Sequence, residues 1–252
     1  MATANFLTHA KHITHKTLDE EIILTFQVVL IGRDGLVVGS DRKMSFRSPT
    51  PDVRGYSAGA WQFAPSTKFV KSTDESVICA CAGGPQAKSI ANSIVLSCAP
   101  VVNESAIQWE EWLRHTSDAV VSNSVGDEVI VVRRNFPDHA IVLCREERTT
   151  GVLRIETALC TGTSLTARFL TQHLWQLDTV DNLERLALLS LAYAVKERPS
   201  EVGEGFDIMT LRTSGNVSWR HLEPNDSDIP KTLNAFDAST KKFLFPAKNK
   251  KP

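Results

Sequence analysis

Residues with chemical potential are few in this sequence. His9, His12 and His15 recur every three residues, a spacing that would set three imidazoles on one helical face. No carboxylate or cysteine stands close enough in sequence to complete a metal-ligand set, so a leader without metal is the expectation for this stretch. Cys79 and Cys81 form a Cys-x-Cys pair with no second pair at metal-binding spacing. With Cys98, Cys144 and Cys160 they make an odd total of five, and most lie in apolar runs such as Val77-Ile78-Cys79-Ala80-Cys81. They read as small buried hydrophobes in a reducing compartment, with a reactive thiol as the alternative. Phe46, Tyr56, Trp61 and Phe63 cluster in one irregular stretch. They read as packing of that stretch on its own domain, with a substrate lid or subunit contact as the alternative. There is no glycine-rich phosphate loop, no cysteine quartet and no basic-aromatic motif for nucleic acid. No cofactor and no metal are expected, and the choice narrows to a hydrolase or a scaffold.

The elements that must position any site follow from the hydrophobic pattern. Residues 25–31 and 36–40 are β-branched apolar runs on either side of Gly32-Arg33-Asp34-Gly35, the turn chemistry of a hairpin. A second hairpin is predicted from Lys68-Phe69-Val70 and residues 77–81, after which Ala82-Gly83-Gly84-Pro85 breaks the pattern ahead of a helix. Two helices follow, the second over 104–122 with Ile107, Trp112, Leu113, Thr116 and Val120 near a 3.6-residue period. Strands at 128–133, 140–144 and 152–159, helices at 165–177 and 183–195, and strands at 206–211 and 217–221 complete the ordered part. Residues 44–67, rich in Pro, Ser, Gly and aromatics, read as an extended loop or a partly ordered insertion.

Strands, two helices, strands, two helices, strands make one α+β domain. Sheets packed together with helices outside would cover every apolar face, so a four-layer αββα sandwich is the expectation. The domain is placed at 25–222, preceded by a leader or propeptide at 1–24 and followed by a polar tail at 223–252 that ends in clustered lysines. With 252 residues the chain can bury a sizeable core, and its formal net charge of −1 offers no broad attraction to nucleic acid or anionic membrane. No apolar stretch has the length of a signal peptide or a membrane span, which favours a soluble cytoplasmic protein.

Three segments resemble the 20S proteasome β-subunits and their bacterial relatives, which are N-terminal-nucleophile hydrolases. The run from Thr25 to Arg42 is similar to that family's first hairpin in length, in its central Asp-Gly turn and in closing on an aspartate followed by basic residues. Ser66-Thr67-Lys68-Phe69-Val70 is similar to the lysine-bearing strand that leads to Ala82-Gly83-Gly84, and Cys160-Thr161-Gly162-Thr163 to the turn before the third helix. The likeness spans roughly Thr25 to Trp219.

The resemblance implies a threonine-type peptidase or amidohydrolase, acting on peptide or protein within a homo-oligomeric ring. Thr25 would be the nucleophile once residues 1–24 are removed. A threonine hydroxyl needs a base, and an N-terminal threonine carries one in its own α-amine, whose ordinary pKa is about 7.7–8.0. Lys68 would stand beside Thr25 as a cation that favours the neutral amine, paired with Asp41. The Gly83 N–H would donate to the oxyanion, and Thr163 would supply a supporting hydroxyl. Two positions depart from the family pattern: Leu24 replaces the usual glycine before the threonine, and Glu197-Arg198-Pro199-Ser200-Glu201 replaces a supporting aspartate and serine. Taken one at a time, Thr25 is an ordinary strand residue, Asp41 a turn residue, Lys68 a surface cation and Gly83 part of a helix-start turn. The alternative is therefore a non-catalytic proteasome-like subunit, unprocessed and kept for assembly or binding. A non-peptide amidase on the same scaffold is a third reading.

Overall fold

A computed structural model describes residues 25–47, 61–83, 85–120, 127–146, 149–162, 164–203 and 205–244. The chain opens with β1 (Phe26–Gly32) and β2 (Gly35–Asp41), an antiparallel hairpin in register from Gln27 opposite Ser40 to Gly32 opposite Gly35. Both strands are buried along nearly their whole length. That is why they read as continuous Val/Leu/Ile runs, where a strand with one wet face would alternate. β3 (Lys43–Arg47) and β4 (Trp61–Pro65) pair only with each other. β5 (Phe69–Lys71) and β6 (Val77–Ala82) come next, then α1 (Pro85–Ser97) and α2 (Ala106–Asp118). β7 (Glu128–Arg133), β8 (Ala140–Glu146), β9 (Thr149–Ile155) and β10 (Ala158–Gly162) precede α3 (Leu165–Leu174) and α4 (Val180–Glu197). β11 (Phe206–Arg212), β12 (Val217–Leu222) and α5 (Asp228–Leu244) close the described chain.

The strands form two five-stranded antiparallel sheets, ordered β10-β1-β2-β11-β12 and β5-β6-β7-β8-β9. Alternation along each strand divides the apolar side chains among three clusters. Phe26, Val28, Leu30, Phe206 and Ile208 meet Ala187, Leu188 and Leu191 of α4. Val77, Cys79, Val129 and Val131 meet Ile90, Ile94, Trp109 and Leu113 of α1 and α2. Val29, Ile31, Leu36, Val38 and Met209 of the first sheet meet Ile78, Ala80, Ile130, Val132 and Val142 of the second.

This architecture corrects the expected four-layer αββα sandwich to a mixed α+β fold of two five-stranded antiparallel sheets, a separate two-stranded ribbon and five helices. Two segments given no regular element from the sequence also carry structure. The loop placed at 44–67 contributes the β3–β4 ribbon, with Lys43 opposite Pro65 and Arg47 opposite Trp61. The stretch read as a polar tail contributes α5, which lies against α4: Tyr193 packs edge-on to Phe236 at 5.6 Å and donates to Asp237 at 2.6 Å, while Ile229 and Leu233 reach the first apolar cluster. The sequence run 152–159 also divides, its ends falling in β9 and β10. Among the described residues no helix is long and apolar enough to cross a membrane.

Candidate functional site

Thr25 stands immediately before β1, and Asp41 is the last residue of β2. Because the hairpin is antiparallel, the start of one strand and the end of the other come together, and the Phe26 N–H donates to Asp41 Oδ1 at 3.0 Å. Lys68 comes from the other sheet. It directly precedes β5, and its carbonyl accepts the Cys81 N–H at 2.9 Å, extending the β5–β6 ladder by one step. From there its side chain crosses between the sheets, and Nζ donates to Thr25 Oγ1 at 2.5 Å and to Asp41 Oδ1 at 2.6 Å.

All three residues are buried, Thr25 at 4%, Asp41 at 0% and Lys68 at 7% relative exposure. A buried ion pair is tolerable only when its remaining donors and acceptors are satisfied. Asp41 meets that condition, because its second oxygen accepts the Lys43 N–H at 3.1 Å and the Gly203 N–H at 3.0 Å. Burial pulls the Lys68 proton affinity below that of an ordinary lysine, against the opposing attraction and hydrogen bond of Asp41. A lysine poised this way, donating to a hydroxyl oxygen, can exchange a proton with it at lower cost than a solvated one.

Gly83 follows β6 and precedes α1, exposed and at φ +115°, a conformation that L side chains rarely adopt. A Cβ on it would fall 2.4 Å from Asp127 Oδ1. The glycine is thus required both by its backbone angle and by the carboxylate packed on it. The structure brings Thr25 and Asp41 together on Lys68 Nζ. It holds Gly83 at the open end of the β5–β6 hairpin, the end at which Lys68 sits, two residues past the Cys81 N–H that donates to the Lys68 carbonyl. Thr163, and the histidines at 9, 12 and 15, lie outside the described residues, as does Tyr56.

Two participants escaped the sequence reading. Lys43 and Gly203 both address Asp41, and the only signals for them were a basic residue after an aspartate and a glycine in Val202-Gly203-Glu204-Gly205. Glu197, in the stretch that departs from the family pattern, is engaged at the start of α3: its Oε2 accepts Ser164 Oγ–H at 2.5 Å and the Thr166 N–H at 3.0 Å. Glu201 pairs with Arg198. The five cysteines are free thiols, and burial pushes Cys81 and Cys160 up to about 12 and Cys79 higher than its ordinary value. Thiols held protonated in this way are poor nucleophiles. Among the described residues no group of three or more His, Cys, Asp or Glu could hold a metal ion.

No protein-family model and no curated protein matches the sequence. Solved structures do match the fold. The ancestral β-subunit Anbu from Yersinia bercovieri superposes with a TM-score of 0.68 at 14% identity, covering 90% of this chain and all (100%) of that one. A Gly-1 mutant of Anbu from Hyphomicrobium sp. strain MC1 gives 0.66 at 11% identity, again over 90% of this chain and 100% of the other. Anbu from Pseudomonas aeruginosa, solved in a helical assembly of the Anbu complex, gives 0.64 at 14% identity over 90% and 99%. At these identities the likeness carries the fold alone. The neighbours also correct the family resemblance drawn from the sequence: they are Anbu proteins, proteasome-like but a family distinct from the 20S β-subunits.

Proposed function

We propose that this chain is a proteasome-like threonine peptidase in which Thr25, freed at its amine by removal of residues 1–24, attacks the carbonyl of a peptide bond. The observation that carries the reading is Lys68 Nζ, 2.5 Å from Thr25 Oγ1 and 2.6 Å from Asp41 Oδ1, all buried between two sheets. In this reading the free α-amine takes the hydroxyl proton, and Lys68 holds the amine neutral and steadies the alkoxide as it develops. The Gly83 N–H, at the mouth of α1, stabilises the oxyanion, and Thr163 adds a supporting hydroxyl. Collapse of the intermediate breaks the C–N bond as the α-ammonium returns the proton to the departing amine, and water then hydrolyses the ester, restoring the Thr25 hydroxyl and releasing the carboxylic acid. The likeness to a chain solved in a helical assembly supports self-association of this one, and five free cysteines suit the cytoplasm.

A second reading, an unprocessed subunit kept for assembly, is favoured by one observation. The turn from Arg198 to Gly203 offers Asp41 a backbone N–H, while the carboxylates of Glu197 and Glu201 are committed elsewhere, the first to Ser164 and Thr166 at the start of α3 and the second to Arg198. Intact mass and N-terminal sequencing of the purified protein, beside Thr25→Ala, separates the two. The peptidase reading expects a mature chain beginning at Thr25 in the wild type alone, labelled by a threonine-directed covalent inhibitor. A full-length chain that ignores the inhibitor overturns it.

A further inference from the structure

Lys43 opens β3 two residues after Asp41, and it is joined to the site at both ends. Its backbone N–H donates to Asp41 Oδ2, and its ammonium donates to the Ser200 carbonyl at 2.5 Å with the Pro199 carbonyl at 3.5 Å. Those carbonyls belong to the turn that follows α4, where the helix terminus itself favours a cation. The same turn ends on Gly203, whose N–H reaches the same Asp41 oxygen at 3.0 Å. Contact there is so close that a Cβ on Gly203 would stand 2.5 Å from Lys43 Cβ and 2.8 Å from Lys43 N. The turn and residue 43 therefore share one carboxylate oxygen, and the lysine side chain reaches across to close the loop.

We propose that Lys43 is a positioning residue for this site: its ammonium, docked on Ser200, fastens the Arg198–Gly203 turn against Asp41 and sets a second positive charge behind the Lys68–Asp41 pair. The groups that face Lys68 are Asp41, the Cys81 thiol, the Thr25 hydroxyl and Lys43. Of these Lys43 is the like charge, and it disfavours a proton on Lys68 in the same sense as burial does, against Asp41. The consequence for catalysis rests on the peptidase reading, whereas the fastening and the charge effect do not.

The test uses the full chain as wild type, Lys43→Arg, Lys43→Gln and Lys43→Met. Two readouts are independent of activity: the titration of the Lys68 ammonium by side-chain NMR, assigned against Lys68→Met, and hydrogen exchange of the Gly203 amide. Lys43→Met should move the Lys68 titration to higher pH and speed exchange at Gly203. Lys43→Arg should keep both near wild type, since charge and donor are retained. Lys43→Gln retains a donor without the charge, so its Lys68 titration should move with that of Lys43→Met, and it stands in if the methionine variant fails to fold. A Lys68 titration and Gly203 exchange unchanged in both neutral variants overturn the proposal. If the titration moves while the wild type hydrolyses no peptide, the peptidase reading falls and the role of Lys43 stands. If the wild type is active, the acid limb of its pH–rate profile should move with the titration.

Discussion

Gly162 faces the carbonyl oxygen of Thr25 so closely that a Cβ on the glycine would stand 1.8 Å from that oxygen. Phe26 is its partner across the β1–β10 pair, and Gly162 sits at φ +99°, where an L side chain is strained whatever the space. The backbone of Thr25 is thus closely packed by β10 while its hydroxyl accepts from Lys68. Gly162→Ala should cost about 1–3 kcal/mol from backbone strain and push the start of β1 outward. Urea unfolding measures the cost. A lengthened or lost contact from Lys68 to Thr25 in a crystal structure of the variant would show the displacement, and an unchanged stability would contradict the close approach.

The first hairpin was legible because both its strands are buried on both faces and Asp34-Gly35 marks the turn between them. α5 was not, because Asp228–Leu244 carries its apolar residues sparsely among Lys, Asp, Asn and Thr, and only the surface of α4 makes Ile229, Leu233 and Phe236 an inward face. The β3–β4 ribbon was hidden by the Pro, Gly and Ser of the stretch between its strands. Thr25, Asp41 and Lys68 were readable only through resemblance to a known hairpin and strand. The parts played by Lys43 and Gly203 depend on contacts to residues 157 and 162 positions away in sequence. No local pattern encodes such distances.

At the start of α3, Ser164 is the N-cap, its Oγ accepting the Ala167 N–H at 3.1 Å while donating to Glu197 at 2.5 Å. Ser164→Ala removes a cap and leaves a carboxylate with one donor fewer, so a loss of about 1–2 kcal/mol is expected. Burial pushes the Glu197 carboxyl up, but the hydrogen bonds from Ser164 and Thr166 outweigh it and hold the group below its ordinary range. Its contribution is therefore present above the unfolded carboxylate pKa and fades as pH falls. Ser164→Ala should flatten that acid dependence, which thermal unfolding across a pH series measures.

The turn between β5 and β6 has a sharper acid signature. Asp74 accepts Ser72 Oγ–H at 2.7 Å and the Ser76 N–H at 3.0 Å, and these bonds bring its carboxyl down to about 2. A carboxyl lowered on folding adds stability above its ordinary value of 3.8, and that stability is lost as pH falls toward 2. Asp74→Asn should remove this step while leaving stability near neutral pH little changed apart from the loss of the bonds themselves. Because the carboxylate is solvent-facing, added salt should shrink the step. An identical acid limb in wild type and variant would show that the turn does not hold the charge.

Lys68 and Asp41 are not equivalent partners, and single substitutions should expose the asymmetry. Lys68→Met leaves Asp41 with N–H donors from Phe26, Lys43 and Gly203, so the carboxylate keeps hydrogen bonds on both oxygens. Asp41→Ala leaves a buried ammonium facing Thr25 with its counter-ion gone, a defect that costs about 3–5 kcal/mol in comparable buried pairs. The Lys68 proton affinity is already below the ordinary 10.5. The folded state therefore binds fewer protons than the unfolded state between the lowered value and 10.5, and stability rises with pH across that window. Removal of Asp41 widens the window downward, because the attraction that opposed burial is gone. The penalty of Asp41→Ala should accordingly shrink as pH is raised from neutral to the ordinary lysine value of 10.5, while that of Lys68→Met should grow, because the variant lacks the group whose loss of a proton stabilises the wild type there. In the double variant the losses should fall short of their sum, since neither residue is then left unpaired by the other. Urea unfolding of the four proteins at both ends of that pH range measures the cycle. Additive losses with no pH trend would mean that the two side chains are not coupled in the folded protein.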